Sequence, residues 1–358
     1  MQAADEFTFE GKLLTIPFES LEWKKSEQNK EINYQAVFKI RNTAAFDQDI
    51  VLGFTKSGII QIEVISSTDI QQLHTGSLLK LGERNYPSNI NAVRLTMRKD
   101  SLYTIRLLNI PVYSLFKQDK MDITIQPTTR FEQQDTARLF WQGIFLGTIF
   151  VMALYNLFIF YGVRDVSYLY YVLSIAGLGL YLGFYYGFGI EYLWPNYPRW
   201  DTFCYTIIVP FTNMARLLFT RSYLNTAVYM PRLNRIIQLL MIACGGLMLV
   251  GIITFIGNID ILSAMVTVVG LIGTLVLILM LVAGLVAYYT DHYEPARYFI
   301  TANTLLVAGA ILFILRETGY ADDNFYTRYI VQIGFIIQVI VFALGLASRY
   351  NSTRVELA

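Results

Sequence analysis

The chain has 358 residues, 54% hydrophobic and only 15% charged, with a formal net charge of +1. A soluble domain carries about 25% charged residues, and a mean hydropathy of +0.43 argues against one. The near-neutral balance gives no basic patch or stripe for nucleic acid, and His74, alone in the first 130 residues, excludes a histidine-rich metal site there.

Met1-Gln-Ala-Ala-Asp-Glu6 holds no apolar targeting segment and reads as a mature start behind an added methionine, with a signal peptide removed. Residues 7–126 alternate with a period of two between turn residues. Leu14, Ile16 and Phe18 alternate, as do Val37 with Phe38, Ile40, and Val51 with Gly53. Ile60, Ile62 and Val64 face one way while Gln61 and Glu63 face the other; Val93–Met97, Leu102–Leu107 and Met121–Ile125 continue the pattern. Several short strands with one buried face predict an antiparallel β-sandwich of jelly-roll type. A head of about 130 residues can bury a core without disulfides, and it contains no cysteine.

Sandwich domains of this kind hold ligands through aromatic faces and polar edges. Candidate contacts are Trp23, Tyr34, Arg41, Tyr86, Arg106 and Tyr113, though each taken singly reads more readily as core or ordinary surface. His74, in Leu-His-Thr-Gly, reads as a solvated or capping turn residue. The carboxylate pairs Asp47 with Asp49 and Asp119 with Asp122 read as solvated turn acids, not as a hydrolase pair.

Pro127 ends the last strand, and the polar stretch Arg130-Phe-Glu-Gln-Gln-Asp-Thr-Ala-Arg138 is expected as a linker. All lysines lie at or before Lys120; beyond Phe140 charge is thin and apolar runs dominate. A helix needs about 20 apolar residues to cross about 30 Å of hydrocarbon. Seven runs qualify: Phe140–Tyr161, Tyr168–Tyr186, Phe203–Thr220, Ile236–Ile256, Ile261–Tyr288, Tyr298–Leu315 and Tyr329–Ala347. Pro210, Asn213 and Arg216 make the third the weakest. The division expected is a head over 1–130, a linker over 131–139, an all-α seven-helix bundle over 140–349, and the start of a cytoplasmic tail over 350–358.

With the head outside, the inner loops hold Arg164, Arg221, Arg232, Arg235 and Arg297, and the tail Arg349 and Arg354. The outer loops hold Arg199, Arg316 and Arg328 with the acids Glu191, Asp322 and Asp323. The excess of arginine on the tail side places the head outside, in the periplasm of a cell with an outer membrane. Trp141, Tyr192, Trp194, Trp200, Tyr288 and Tyr289 sit where interfacial anchors belong. The aromatic loop Gly187–Trp200 reads either as a belt on lipid headgroups or as a platform against which the head docks.

Polar residues inside the spans are few: Asn156, Asn213, Arg216, Asn303, Gln332 and Gln338. No carboxylate lies deep in a span; Glu317 with Arg316 sits at the outer end of the sixth. The amides read as interhelical hydrogen-bond donors. Cys204 and Cys244 read as small apolar residues in helices.

The runs Gly143-Ile-Phe-Leu-Gly147, Ala153-Leu-Tyr-Asn-Leu-Phe-Ile-Phe160 and Arg164-Asp-Val-Ser-Tyr-Leu-Tyr-Tyr171 resemble bacterial seven-transmembrane receptors with diverse intracellular signalling modules. So do Gly189-Ile-Glu-Tyr-Leu-Trp194, Glu294-Pro-Ala-Arg-Tyr-Phe299, and Gln332-Ile-Gly-Phe335 with Ala343-Leu-Gly-Leu-Ala-Ser-Arg349. The head is similar to that family's second extracellular domain type, a jelly roll related to carbohydrate-binding modules. The resemblance implies an inner-membrane receptor for a carbohydrate or other small metabolite. It also implies a cytoplasmic signalling partner or output module, such as a histidine kinase or diguanylate cyclase, beyond Ala358, and by analogy a homodimer.

The leading reading is therefore a receptor that is itself no enzyme and needs no cofactor or metal. The alternative is a transporter or channel with an accessory binding domain, which would place charged residues at midplane and carry paired broken helices. Pro210 is the only proline inside a span.

Overall fold

The computed structural model describes residues 5–28, 31–54, 58–67, 69–110, 122–257, 259, 261–289, 293–317, 320–322 and 324–357. Of the positions named above, Met1–Ala4, Tyr113, Asp119, Lys120, Met121, Asp323 and Ala358 lie outside the described residues. The chain divides into two compact units, Met1–Trp141 with Phe184–Thr202, and Gln142–Gly183 with Phe203–Ala358.

The first unit is built on a β-sandwich. Its strands are β1 (Asp5–Phe9), β2 (Leu14–Ile16), β3 (Lys24–Gln28), β4 (Glu31–Asn42), β5 (Gln48–Phe54), β6 (Ile59–Ile65), β7 (Ile70–Thr75), β8 (Asn91–Met97), β9 (Leu102–Ile110) and β10 (Ile123–Pro127). One sheet runs β1-β4-β9-β6-β7, with β3 also on β4; the other runs β2-β10-β5-β8. Strand β4 is long enough for two partners along one edge. Lys24 of β3 pairs with Gln35, and beyond it Asp5 of β1 pairs with Phe38. The β1–β4 ladder is parallel, a departure from the all-antiparallel expectation.

Alternation places Phe38, Ile40, Ile60, Ile62, Ile105 and Leu107 of the larger sheet against Ile50, Leu52, Val93, Leu95, Ile123 and Ile125 of the smaller. At about 25 cal/mol per Å² of buried apolar surface, this interior dominates the head's stability. Phe18, expected to continue a strand, instead follows Pro17 into a single 3₁₀ turn. That turn brings it onto Trp23, with ring centroids 4.8 Å apart and nearly parallel.

The segment expected as a linker is regular helix. Helix α1 (Thr128–Val163) starts directly after Pro127. Residues 131–139 contain no Gly or Pro and are rich in good helix formers, so nothing in them breaks the turn. Phe131, in its first turns, buries against Val51 and Ala92 on the outer face of the smaller sheet.

The second unit is an all-α bundle. Its helices are α1 beyond Trp141, α2 (Val166–Tyr185) as far as Gly183, α4 (Tyr205–Tyr223), α5 (Thr226–Tyr229), α6 (Pro231–Ile256), α7 (Leu262–Tyr289), α8 (Ala296–Glu317) and α9 (Phe325–Leu357), while the short α3 (Pro198–Phe203) falls in the first unit up to Thr202. Among the described residues seven segments are long and apolar enough to cross a membrane, with α3 and α4 together forming the third. Their surface side chains are apolar: Phe158 is 73% exposed and Ile242 72%. A surface of that kind is stable against lipid, not water.

Small residues bring helices close, as expected where lipid supplies no hydrophobic driving force. A Cβ added at Gly179 or Gly183 would meet Ile149 or Leu146 of α1, and one at Gly177 would meet Thr212 of α4.

Candidate functional site

Two features of the first unit and one of the second have functional geometry. The outward face of the larger sheet carries a groove of about 460 Å³ lined by Gln35, Gln61, Glu63, Gln72, His74 and Arg106 among others. Register explains the set: Val37 and Glu63 both oppose Arg106, and His74 and Leu108 both oppose Gln61, so all point out of one face. Arg106 Nη1 donates to Glu63 Oε2 at 2.9 Å. Amide and charged side chains line the groove together with the apolar Val37 and Leu108.

The other ligand candidates do not gather there. Arg41 lies on the same sheet face but pairs with Glu6 at 2.9 Å. Trp23 and Tyr34 both pack on Phe18 at the edge of the core, and Trp23 Nε1 donates to the Phe18 carbonyl. Tyr86 stands edge-on to Phe131, 5.1 Å between centroids, with the Arg94 guanidinium over its ring. Arg94 also pairs with Glu132 in the first turns of α1. His74 is an exposed strand residue lining the groove, not a turn residue.

The second feature is an ionic junction. Past α2 the chain turns at Gly187 (φ +98°) into a π-helical turn, Gly189–Leu193, which carries Glu191 inward. One oxygen, Glu191 Oε1, accepts from Asn89 N–H at 2.7 Å, Arg138 Nη2 at 2.7 Å and Ser88 Oγ at 3.2 Å. Arg138, in α1, also donates from Nε to Asp135 Oδ1 at 2.8 Å and from Nη1 to the Tyr186 carbonyl at 2.9 Å. Beside it, Arg84 donates to the carbonyls of Ser88 and Leu79. Burial lowers the Arg84 guanidinium from its ordinary value, while Asp201 and Glu191 push the other way. Leu81 N–H donates to the Pro195 carbonyl at 2.9 Å.

The loop 184–202 is thus docked on the head by backbone and charge together. Of the two readings of the aromatic loop, the platform describes it. Trp194 packs against Phe184 and Trp200 and donates to Asp201 at 2.7 Å, while Tyr192 and Tyr197 remain exposed. Glu191, Arg138, Asp135, Ser88 and Arg84 were not among the candidate site residues. The available signal was an acid inside an aromatic loop and an arginine one helical stretch before a span.

In the second unit, polar contacts converge on α9. Gln332 Nε2 donates to Gln142 Oε1 of α1 at 2.9 Å, and Gln338 Nε2 to Asn303 Oδ1 of α8 at 3.3 Å. Two tyrosines of α2 reach its backbone: Tyr171 Oη donates to the Val339 carbonyl at 2.6 Å and Tyr168 Oη to that of Leu346 at 3.3 Å. The rings of Tyr171, Phe219, Tyr223, Phe299 and Phe342 pack around that contact. Asn156 instead donates to the Met152 carbonyl of its own helix. Asn213 and Arg216 are buried in α4. Among the described residues no three potential metal ligands come together.

A β-sandwich head and seven apolar helices define a multi-pass membrane protein, with the lipid bilayer as its surroundings. The family model described as 7TM diverse intracellular signalling matches residues 138–349, and the chain belongs to that family. It is accordingly a membrane protein of a transmembrane signalling family. No curated protein matches the sequence significantly. Among solved structures, an insecticidal crystal protein, Cry2Aa, is 11% identical over 34% of this chain and 23% of that one, at a TM-score of 0.21, too low to bear on the fold.

Proposed function

We propose that the chain is a transmembrane receptor. Its head takes a small extracytoplasmic ligand in the groove around Gln61, Glu63 and Arg106, and α9 passes the change to a cytoplasmic output module or partner protein. Catalysis belongs to that module. The observation that carries the reading is Glu191: one carboxylate oxygen ties the 88–89 turn of the head to Arg138 of α1 and to the loop after α2. A ligand that favours one arrangement of these groups five- to 150-fold supplies about 1–3 kcal/mol of coupling. Amide, carboxylate and guanidinium groups on an open sheet face suit the hydroxyls of a carbohydrate or another polar metabolite. The arginine excess on the α9 side supports a head outside and a tail inside an inner membrane, and output modules of this class act as homodimers by analogy.

The test is a thermal-shift titration of the purified full chain with monosaccharides, disaccharides and polar metabolites. A saturable rise in Tm that Arg106→Ala abolishes supports the reading; no rise with any class removes the small-molecule ligand. For orientation, alkaline phosphatase fused after Ala358 is expected to be inactive, and periplasmic activity there reverses the topology.

A further inference from the structure

Helices α4, α6 and α7 pack together in the bundle, and none of them contains Asp or Glu. Two polar side chains nevertheless stand buried in α4: Asn213, 4% exposed, and Arg216, 6% exposed. Three residues apart, they share one helix face. The Asn213 Nδ2 finds no hydrogen-bond partner. Among the described residues no carboxylate or acceptor pairs with the Arg216 guanidinium either. The neighbouring hydroxyls of Thr212 and Thr220 donate within the helix, to the carbonyls of Ile208 and Arg216, and among the described residues neither accepts from Asn213 or Arg216. Facing Asn213 across the α4–α7 contact is Gly273, where an added Cβ would lie 3.4 Å from Nδ2.

A guanidinium inside hydrocarbon is costly unless it meets an acceptor. Both orphaned groups here are N–H donors, and the helices around them offer no acid. We propose that Asn213 and Arg216 form an intramembrane anion site on α4 whose occupant is a small carboxylate. The planar guanidinium fork matches two carboxylate oxygens, and the amide of Asn213 supplies a further N–H. A carboxylate uses all of these donors, whereas a halide ion engages the fork less completely. The site calls on none of the head's residues.

The experiment is a thermal-shift titration of the full chain in lipid nanodiscs with sodium acetate, sodium chloride and sodium phosphate at matched ionic strength. Acetate is expected to raise Tm saturably and more than the other two salts. Arg216→Gln should abolish that rise and Asn213→Ala should weaken it. Arg216→Lys, which keeps the charge and loses the fork, should fold and bind acetate about tenfold more weakly. Should Arg216→Gln fail to fold, the lysine variant and Asn213→Ala decide the question. Equal shifts in wild type and the variants, no saturable shift with any salt, or a larger effect of chloride or phosphate than of acetate would overturn the proposal.

Discussion

Glu191 and Arg138, 53 residues apart in the chain, meet at 2.7 Å with their side chains only 10% and 13% exposed. So little solvent reaches the pair that screening does not discount it much; removing Arg138 strands Glu191, whereas removing Glu191 leaves Arg138 its bond to Asp135. Breaking such a pair costs about 3–5 kcal/mol. Glu191→Gln and Arg138→Gln should each lower the Tm of the full chain clearly. The double variant should lose less than the sum of the two, because neither charge is then left alone. Two neutral single variants would mean that the pair does not hold the loop.

Gly187 is the hinge that aims Glu191. At φ +98° an L-residue is strained, and a Cβ there would stand 2.3 Å from the Asn89 Cβ. Gly187→Ala should therefore release the loop, seen as faster proteolysis between residues 184 and 202. Adding Asn89→Gly removes the collision and leaves about 1–2 kcal/mol of backbone strain, so partial recovery is the expected result. Full protection of the single variant would contradict the geometry.

Tyr86 offers a pH signature. Burial, with Asp135 and Glu132 nearby, raises its phenol above the ordinary value, and Arg94 opposes the shift. A pKa raised on folding means that the contribution to stability is complete below the unfolded value of about 10 and is lost as pH rises through the folded one. The difference in absorbance at 295 nm between wild type and Tyr86→Phe should show a tyrosine ionising late. Asp135→Asn should bring that ionisation earlier; an unchanged midpoint would show that Asp135 does not act on it.

Within the bundle, the size of each contact to α9 separates two kinds of variant. Gln332→Leu should cost little, about 0.6 kcal/mol, the average for a hydrogen bond between membrane helices. Phe342→Ala removes a buried ring that packs on Tyr171, Phe219 and Phe299 and should cost about 3–5 kcal/mol. The Tm values of the two in detergent give the comparison, and an inverted order would count against the packing described for α9.

Much of this was legible in the chain, for reasons particular to each element. Strands β6 and β9 alternate with one wet face, so their period is plain. Strand β5 alternates too, but Val51 on its other face is buried under Phe131, a contact that no local pattern announces. Strands β1, β3 and β7 are short and poor in apolar residues, so no clear alternation marks them. The seven spans are visible because hydropathy is a property of each run alone. The junction is different in kind: Glu191 reads as one more outer-loop acid and Arg138 as the end of a polar linker until folding brings them together. The same holds for Gln142, the partner of Gln332, whose neighbours in sequence are simply the start of a span.

The hydroxyls of Tyr168 and Tyr171 bond α9 at its peptide carbonyls, not at its side chains. Every amino acid supplies a carbonyl, so replacements at Val339 and Leu346 that preserve the helix keep both bonds intact. At those two positions the receiving helix is thus free to drift in sequence while its register against α2 is kept.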